Sequence, residues 1–247
     1  MFLAALIFLV ISVSAFGYWE FPPGPPPEKY GNILIDRTST GNGVKPATFS
    51  HWLHRRRHTC RVCHYELEFN MKANTTEITE KANRSGRFCG AGGCHDGKAA
   101  FGHEKPHCQK CHNGDIGYGE RKFAELAQYP TAPFGNRVNW VAALRNGVIS
   151  PLNFIKSKPG DISFDKELTL EAEWTFVPPS VFPHKAHVEW LDCNNCHPEI
   201  FNIKKKGTQD FSMNNILKGE FCGVCHLRVA FPMNDCAKCH PGLKEGL

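Results

Sequence analysis

Twelve cysteines fall into six pairs, and a histidine directly follows the second cysteine of each pair. Five of these read Cys-x-x-Cys-His: Cys60, Cys63 and His64; Cys108, Cys111 and His112; Cys193, Cys196 and His197; Cys222, Cys225 and His226; Cys236, Cys239 and His240. The sixth, Cys89, Cys94 and His95, has four residues between its cysteines. Disulfide frameworks and zinc ribbons also use paired cysteines, but neither requires histidine at the next position. With 13 His in 247 residues, six such placements by chance have a probability on the order of one in ten million or less. The pattern meets a specific chemical need: two thiols add to the two vinyl groups on one edge of a porphyrin, and the next residue turns its imidazole under the iron. It implies six covalently attached haems c, with every cysteine consumed. At the longer site, Gly90, Ala91, Gly92 and Gly93 must bulge to keep the thioether geometry, which their composition permits.

Proximal duty takes His64, His95, His112, His197, His226 and His240, and leaves seven His as candidate sixth ligands. His51 and His54, like His184 and His187, are three residues apart, so on a helical turn they share a face and reach two neighbouring irons. A lone histidine of this kind is ordinarily a surface residue; repetition at the same distance from an attachment motif argues for ligation. Each half of the chain then needs one more ligand. In the second half no His remains, which leaves Met213, Met233 or a non-protein ligand. A thioether raises the potential relative to paired His, whereas a methionine without that duty is core filler. The first half has Glu80 where the second has Met213, and offers His58, His103 and His107. Among these His103 is favoured, because it lies two residues after Phe101 as Met233 lies two after Phe231.

The elements that position these residues are duplicated. Phe49 to Cys89 aligns with Phe182 to Cys222 without a gap; His51, His54, Cys60, Cys63 and His64 match His184, His187, Cys193, Cys196 and His197. Both stretches end in Gly-x-Phe-Cys-Gly. A short strand is expected before each module, most clearly where Leu168, Leu170, Ala172, Trp174 and Phe176 alternate with Thr169, Glu171, Glu173 and Thr175. Between the modules Asn136 is expected to cap a short helix with Val138, Val141 and Leu144 inward and Gly147 at its end. The segments FPPGPPPEKY and FVPPS read as stiff linkers. Long periodic patterns are otherwise missing, which suits a core of porphyrin rather than of packed helices.

The formal charge of +5 does not indicate a nucleic-acid binder, because Lys and Arg are scattered and form runs only at Arg55 to Arg57 and Lys204 to Lys206. Haem propionates would add on the order of a dozen negative charges, partly offset by the irons. Residues 1–17 carry the apolar stretch Phe2 to Phe16, with small residues at Ala15 and Gly17, which predicts export through a signal peptide. No Lys or Arg precedes the stretch, so an uncleaved anchor ending at Tyr18 and Trp19 is the alternative. No Cys precedes Cys60, which excludes a lipoprotein anchor at the end of this signal.

These residues resemble the c7-type triheme cytochrome domain, a small three-haem unit found singly and in tandem. The resemblance is carried by FSHWLH and FPHKAH, CRVCH and CNNCH, RFCGAGGCHDGKAAF and EFCGVCHLRVAF, and CQKCH and CAKCH. It implies that the two His of each opening motif serve the first and second haems, and that a residue between the first and second haem motifs serves the third. Tandem members often use Met there, which implies that role for Met213, after Ser212 and before Gly219 and Cys222. The first module departs from the family in its expanded second motif and in lacking that Met. The segment PFGNRVNWVAALRNG resembles inter-module or tail segments of bacterial cytochromes.

The expected fold is mostly irregular, with short α-helices and short β-hairpins in two tandem c7-like triheme modules. The divisions are 1–17 signal peptide or anchor, 18–46 Pro-rich linker and short strands, 47–112 module 1, 113–180 linker with short helix and strand, and 181–247 module 2. The expected function is electron relay by a hexahaem cytochrome, periplasmic or otherwise extracytoplasmic, rather than catalysis. Partners would be other cytochromes or a membrane quinol-oxidising complex on one side, and a terminal reductase or outer-membrane conduit on the other. A homo-oligomer or filament, and membrane association through the N-terminus, remain open. Two rivals stand beside this reading: a multihaem oxyanion reductase with one open haem site, and a membrane-anchored haem subunit of a larger redox complex. The absence of any Cys-x-x-Cys-Lys motif counts against the first.

Overall fold

Local structure repeats where the sequence repeats. The computed structural model describes residues 23–156, 160, 162–201 and 212–243; the N-terminal stretch 1–17, Tyr18, Trp19 and the run Lys204 to Lys206 lie outside the described residues. Strand β1 (Asn32–Ile35) pairs antiparallel with β2 (Ala47–Ser50), Asn32 opposite Ser50 and Ile35 opposite Ala47. The chain runs straight from β2 into helix α1 (His51–Arg55). A π-helical turn at Val62–Glu66 follows, then α2 (Glu80–Arg84), whose cap Thr79 accepts from the Ala82 amide, and α3 (Cys108–Cys111). Helix α4 (Trp140–Arg145) lies between the modules. The second copy then repeats the order with β3 (Glu167–Leu170), β4 (Ser180–Pro183) and α5 (His184–Val188). It continues through α6 (Met213–Leu217), capped by Ser212, α7 (Gly223–His226) and α8 (Cys236–Cys239).

The shared Gly-x-Phe-Cys-Gly has a steric reason. A Cβ on Gly90 would sit 1.8 Å from the Asn83 carbonyl oxygen, and one on Gly223 would sit 1.9 Å from that of Ile216. The backbone therefore passes directly over the last turn of α2 in one module and of α6 in the other, an approach open only to glycine. Phe88 and Phe221, two positions earlier, both take positive φ, 47° and 51°.

Three expectations need correction. The alternation from Leu168 to Phe176 is a strand only over Glu167–Leu170; Trp174 and Phe176 lie in the turn before β4, stacked on each other, with Phe176 80% exposed. The helix cap is Asn139, whose side chain accepts from the Ala142 amide, and Trp140 and Ala143 face inward. Asn136 instead accepts from the Val138 amide and the Trp140 indole, and thereby fixes the entry to the helix. Finally, the protein has an apolar core of its own: Trp52, Leu126, Tyr129, Val138, Trp140, Ala143, Ile149 and Trp190. The inter-module segment supplies most of it and packs against one tryptophan from each module.

Candidate haem sites

Each proximal histidine is held by a backbone carbonyl. The Nδ1–H groups of His64, His95 and His112 donate to the carbonyls of Phe69, Phe101 and Lys45 at 2.8, 3.1 and 2.9 Å. Those of His197, His226 and His240 donate to Phe201, Phe231 and Pro178 at 2.7, 2.9 and 2.7 Å. The opening-motif histidines follow the same rule: His51, His54, His184 and His187 donate to Gly31, Ser50, Lys166 and Pro183. A carbonyl only accepts, so Nδ1 must carry the proton and Nε2 keeps a free lone pair, the form that ligates a metal. Burial is the main cause that pushes His51 down to about 3, and His54 and His226 down to about 4, so all three rings are neutral at pH 7.

The rings meet in facing pairs. His51 stacks over His64 with centroids 6.5 Å apart and planes 6° from parallel. His54 faces His95 at 6.1 Å, and His187 faces His226 at 6.2 Å. Two metal–imidazole bonds of about 2 Å each, plus the distance from each nitrogen to its ring centre, span roughly 6 Å. Each gap therefore fits one metal ion between two imidazoles. Around the first pair a cleft is lined by Ile33, Ile35, Phe49, Phe69 and Ile78, with Cys63 and Cys89 at its wall. Its apolar lining suits a flat hydrophobic ring. All twelve cysteines are free thiols, and no group of three or more Cys, His, Asp or Glu is disposed to hold a metal among the described residues. Burial pushes the thiols of Cys63, Cys89, Cys222 and Cys225 up to about 12, and those of Cys196 and Cys239 up to about 11. The thiols sit against apolar surface, where a porphyrin edge would lie. These residues fit haem c.

The arrangement does not bring every candidate together. His184 packs edge-on against Phe164 and Phe182, and no ring contact joins it to His197 among the described residues. His58, His103 and His107 lack the Nδ1-to-carbonyl anchor among the described residues; His107 bonds Glu104, and His58 lies beside Leu152. His103 differs from both in having a buried Nε2 without a partner among the described residues. Glu80, at the first position of α2, corresponds to Met213 at the first position of α6. Its carboxylate is held low chiefly by its bond to Arg84, whose Nη2 also donates to the His103 carbonyl. Met233 has its carbonyl near the Cys236 thiol, at 3.8 Å.

Three functional features were not read from the sequence. Asp96, directly after the expanded motif, accepts from the amides of Gly93, Lys98 and Ala99 at 3.0, 2.9 and 2.9 Å, which folds the extra residues into a defined loop. An Asp followed by Gly97 was the available signal for a turn. Arg61 is buried and donates through Nη2 to the carbonyls of Val188 and Leu191, at 2.6 and 2.7 Å, which ties the modules together. The third is Arg55, at the end of α1. For Arg55 the sequence offered only the run Arg55 to Arg57, and for Arg61 only its place between Cys60 and Cys63.

Comparison with known proteins agrees with this chemistry. The profile of the family described as cytochrome c7 and related cytochrome c matches residues 47–113 and 180–241. Among solved structures, the C-terminal hexaheme fragment of GSU1996 is 27% identical over 90% of this chain and 99% of that one, with a TM-score of 0.28. The dodecaheme cytochrome c GSU1996 is 24% identical over 87% of this chain and 75% of that one, with a TM-score of 0.30. A comparison with curated proteins returned no match. Family members transfer electrons rather than turn over substrates. With two matched stretches that together span half its length, and twelve cysteines in six haem c attachment motifs, this chain belongs to the cytochrome c7 family of multihaem c-type cytochromes.

Proposed function

We propose that the chain carries its six haems in two triheme modules, 47–112 and 181–247, and relays electrons between redox partners outside the cytoplasm. The observation that carries this reading is the set of imidazole pairs about 6 Å apart, each ring anchored at Nδ1 so that its Nε2 lone pair is free to ligate. In this assignment His51 and His64, His54 and His95, His184 and His197, and His187 and His226 are axial pairs. His103 serves with His112, supported by its buried unpartnered nitrogen, and Met213 serves with His240. Haem iron supplies one-electron chemistry; the chain supplies covalent attachment, axial ligands and an apolar wall that keeps water out. Anchored rings need no rearrangement when the charge at the site changes. Partners are other cytochromes or a membrane quinol-oxidising complex, and a terminal reductase or outer-membrane conduit. No helix among the described residues is long and apolar enough to cross a membrane.

A pyridine haemochrome assay of the protein matured with its haem-attachment machinery tests the reading. It predicts six haems per chain, with electron paramagnetic and near-infrared spectra showing five bis-His centres and one His/Met centre. Four haems or fewer, or bound zinc in their place, would refute it.

A further inference from the structure

The two modules meet along α1, and at the end of that helix the Arg55 guanidinium lies between them. The Arg55 guanidinium carbon is 5.3 Å from the centre of the Trp140 ring and 5.7 Å from that of Trp190, and Nη2 donates to the Val229 carbonyl at 3.3 Å. Trp140 belongs to the inter-module segment; Trp190 and Val229 belong to the second copy. Beside this contact the Tyr30 hydroxyl donates to the Ala230 carbonyl at 2.7 Å, and the Gly31 backbone approaches Arg228. Neighbouring Arg56 and Arg145 are neutralised by Glu125 and Glu189, whereas Arg55 has no carboxylate partner among the described residues. Cys60 of the first module packs against the same cluster that holds Trp140 and Trp190, and Val229 lies three residues after His226 of the second.

The internal repeat indicates that this arginine is not required by the module fold. In the gapless alignment its counterpart is Val188, at the end of α5, and the second copy forms the same helix without a charge at that position. A guanidinium remains charged across the accessible pH range, and two indole faces take the place of water that would otherwise screen it.

We propose that Arg55 sets the potentials of two haem sites, the Cys60–His64 site of module 1 and the Cys222–His226 site of module 2. The proposal rests on the haem-relay reading above. A fixed positive charge favours the reduced state, which carries one positive charge fewer at the iron, and so raises both potentials together. A unit charge acting over roughly 10 Å through an effective dielectric of about 20 changes a one-electron equilibrium on the order of tenfold.

The test is an optical potentiometric titration of the six-haem holoprotein and of Arg55→Met, Arg55→Gln and Arg55→Lys. Removing the charge in Arg55→Met should shift two of the six centres about tenfold toward the oxidised form, roughly 59 mV to lower potential for one electron. Arg55→Lys should leave all centres within about twofold of the unmodified protein. If Arg55→Met loses haem, Arg55→Gln keeps a donor for the Val229 carbonyl and reports the same shift. Neutral variants with unchanged potentials would overturn the proposal. So would a shift in Arg55→Lys as large as in the neutral variants, since packing rather than charge would then be responsible. The haem count of the unmodified chain judges the relay reading separately.

Discussion

Replacing Gly90 by alanine isolates the link between chain geometry and the second haem site. The added Cβ would lie 1.8 Å from the Asn83 oxygen and 2.6 Å from its carbon, so the backbone must retreat by about 1.2 Å to reach even the 3.0 Å limit of real contacts. The obstacle is backbone rather than a flexible side chain, which puts the cost at the upper end of the overpacking range, about 3 kcal/mol. In a chain of this length each kcal/mol moves the melting midpoint by roughly 2–4 °C, so a fall of roughly 6–12 °C is expected. The displacement also reaches the ligand, because the His95 amide donates to the Cys89 carbonyl and the His95 ring faces His54 at 6.1 Å. One bis-His signal should therefore weaken or change in the electron paramagnetic spectrum while the others persist. Gly92→Ala is the matched control: it lies in the same loop, and a Cβ there meets nothing within 4 Å. Its effect should stay within about 0.5 kcal/mol. If Gly90→Ala and Gly92→Ala melt together and show identical spectra, the steric account is wrong.

Other perturbations address the remaining parts of the design. His51→Ala should convert one low-spin centre to a high-spin one without changing the haem count, since His64 and both thiols remain; an unchanged spectrum would remove His51 from the ligand set. Trp140→Ala should destabilise the protein by about 3–5 kcal/mol, read from the melting curve, because it empties the centre of the inter-module core, removes one of the two donors to Asn136 and removes one face from Arg55. A loss below 1 kcal/mol would show that this core does not join the modules. Three backbone amides hold the Asp96 carboxyl down to about 2, below its ordinary value. The folded loop gains from this bond at every pH above the ordinary carboxylate range and loses it as pH falls toward 2. Asp96→Ala should therefore behave near neutral pH as the unmodified protein does only in strong acid, with less haem on the Cys89–His95 peptide by mass spectrometry; full occupancy there would contradict the role.

Much of the chemistry was legible because it depends on short-range order. Thioether attachment needs two cysteines and a histidine within one turn, so the six sites are written locally, and the His-x-x-His pairs are set by the pitch of a single helical turn. Duplication was legible for a similar reason: Gly90 and Gly223 keep their positions because the chain passes over a helix end in each copy. Other features were not local. The alternation beyond Leu170 suggested a strand, but a strand needs a partner, and the chain turns at Trp174 to bring β4 back along β3. Asn136 and Asn139 are equally good caps by composition; the position of the buried Trp140 indole selected between them.

By itself the sequence determined the cofactor and the number of its attachment motifs, because covalent chemistry leaves little freedom in spacing. Only the tertiary structure decided which histidines face each other, that the inter-module segment is a core rather than a spacer, and where the modules touch. These depend on residues far apart in the chain, such as Arg55, Trp140, Trp190 and Val229, whose proximity is paid for by burial shared among all of them and encoded in no single stretch.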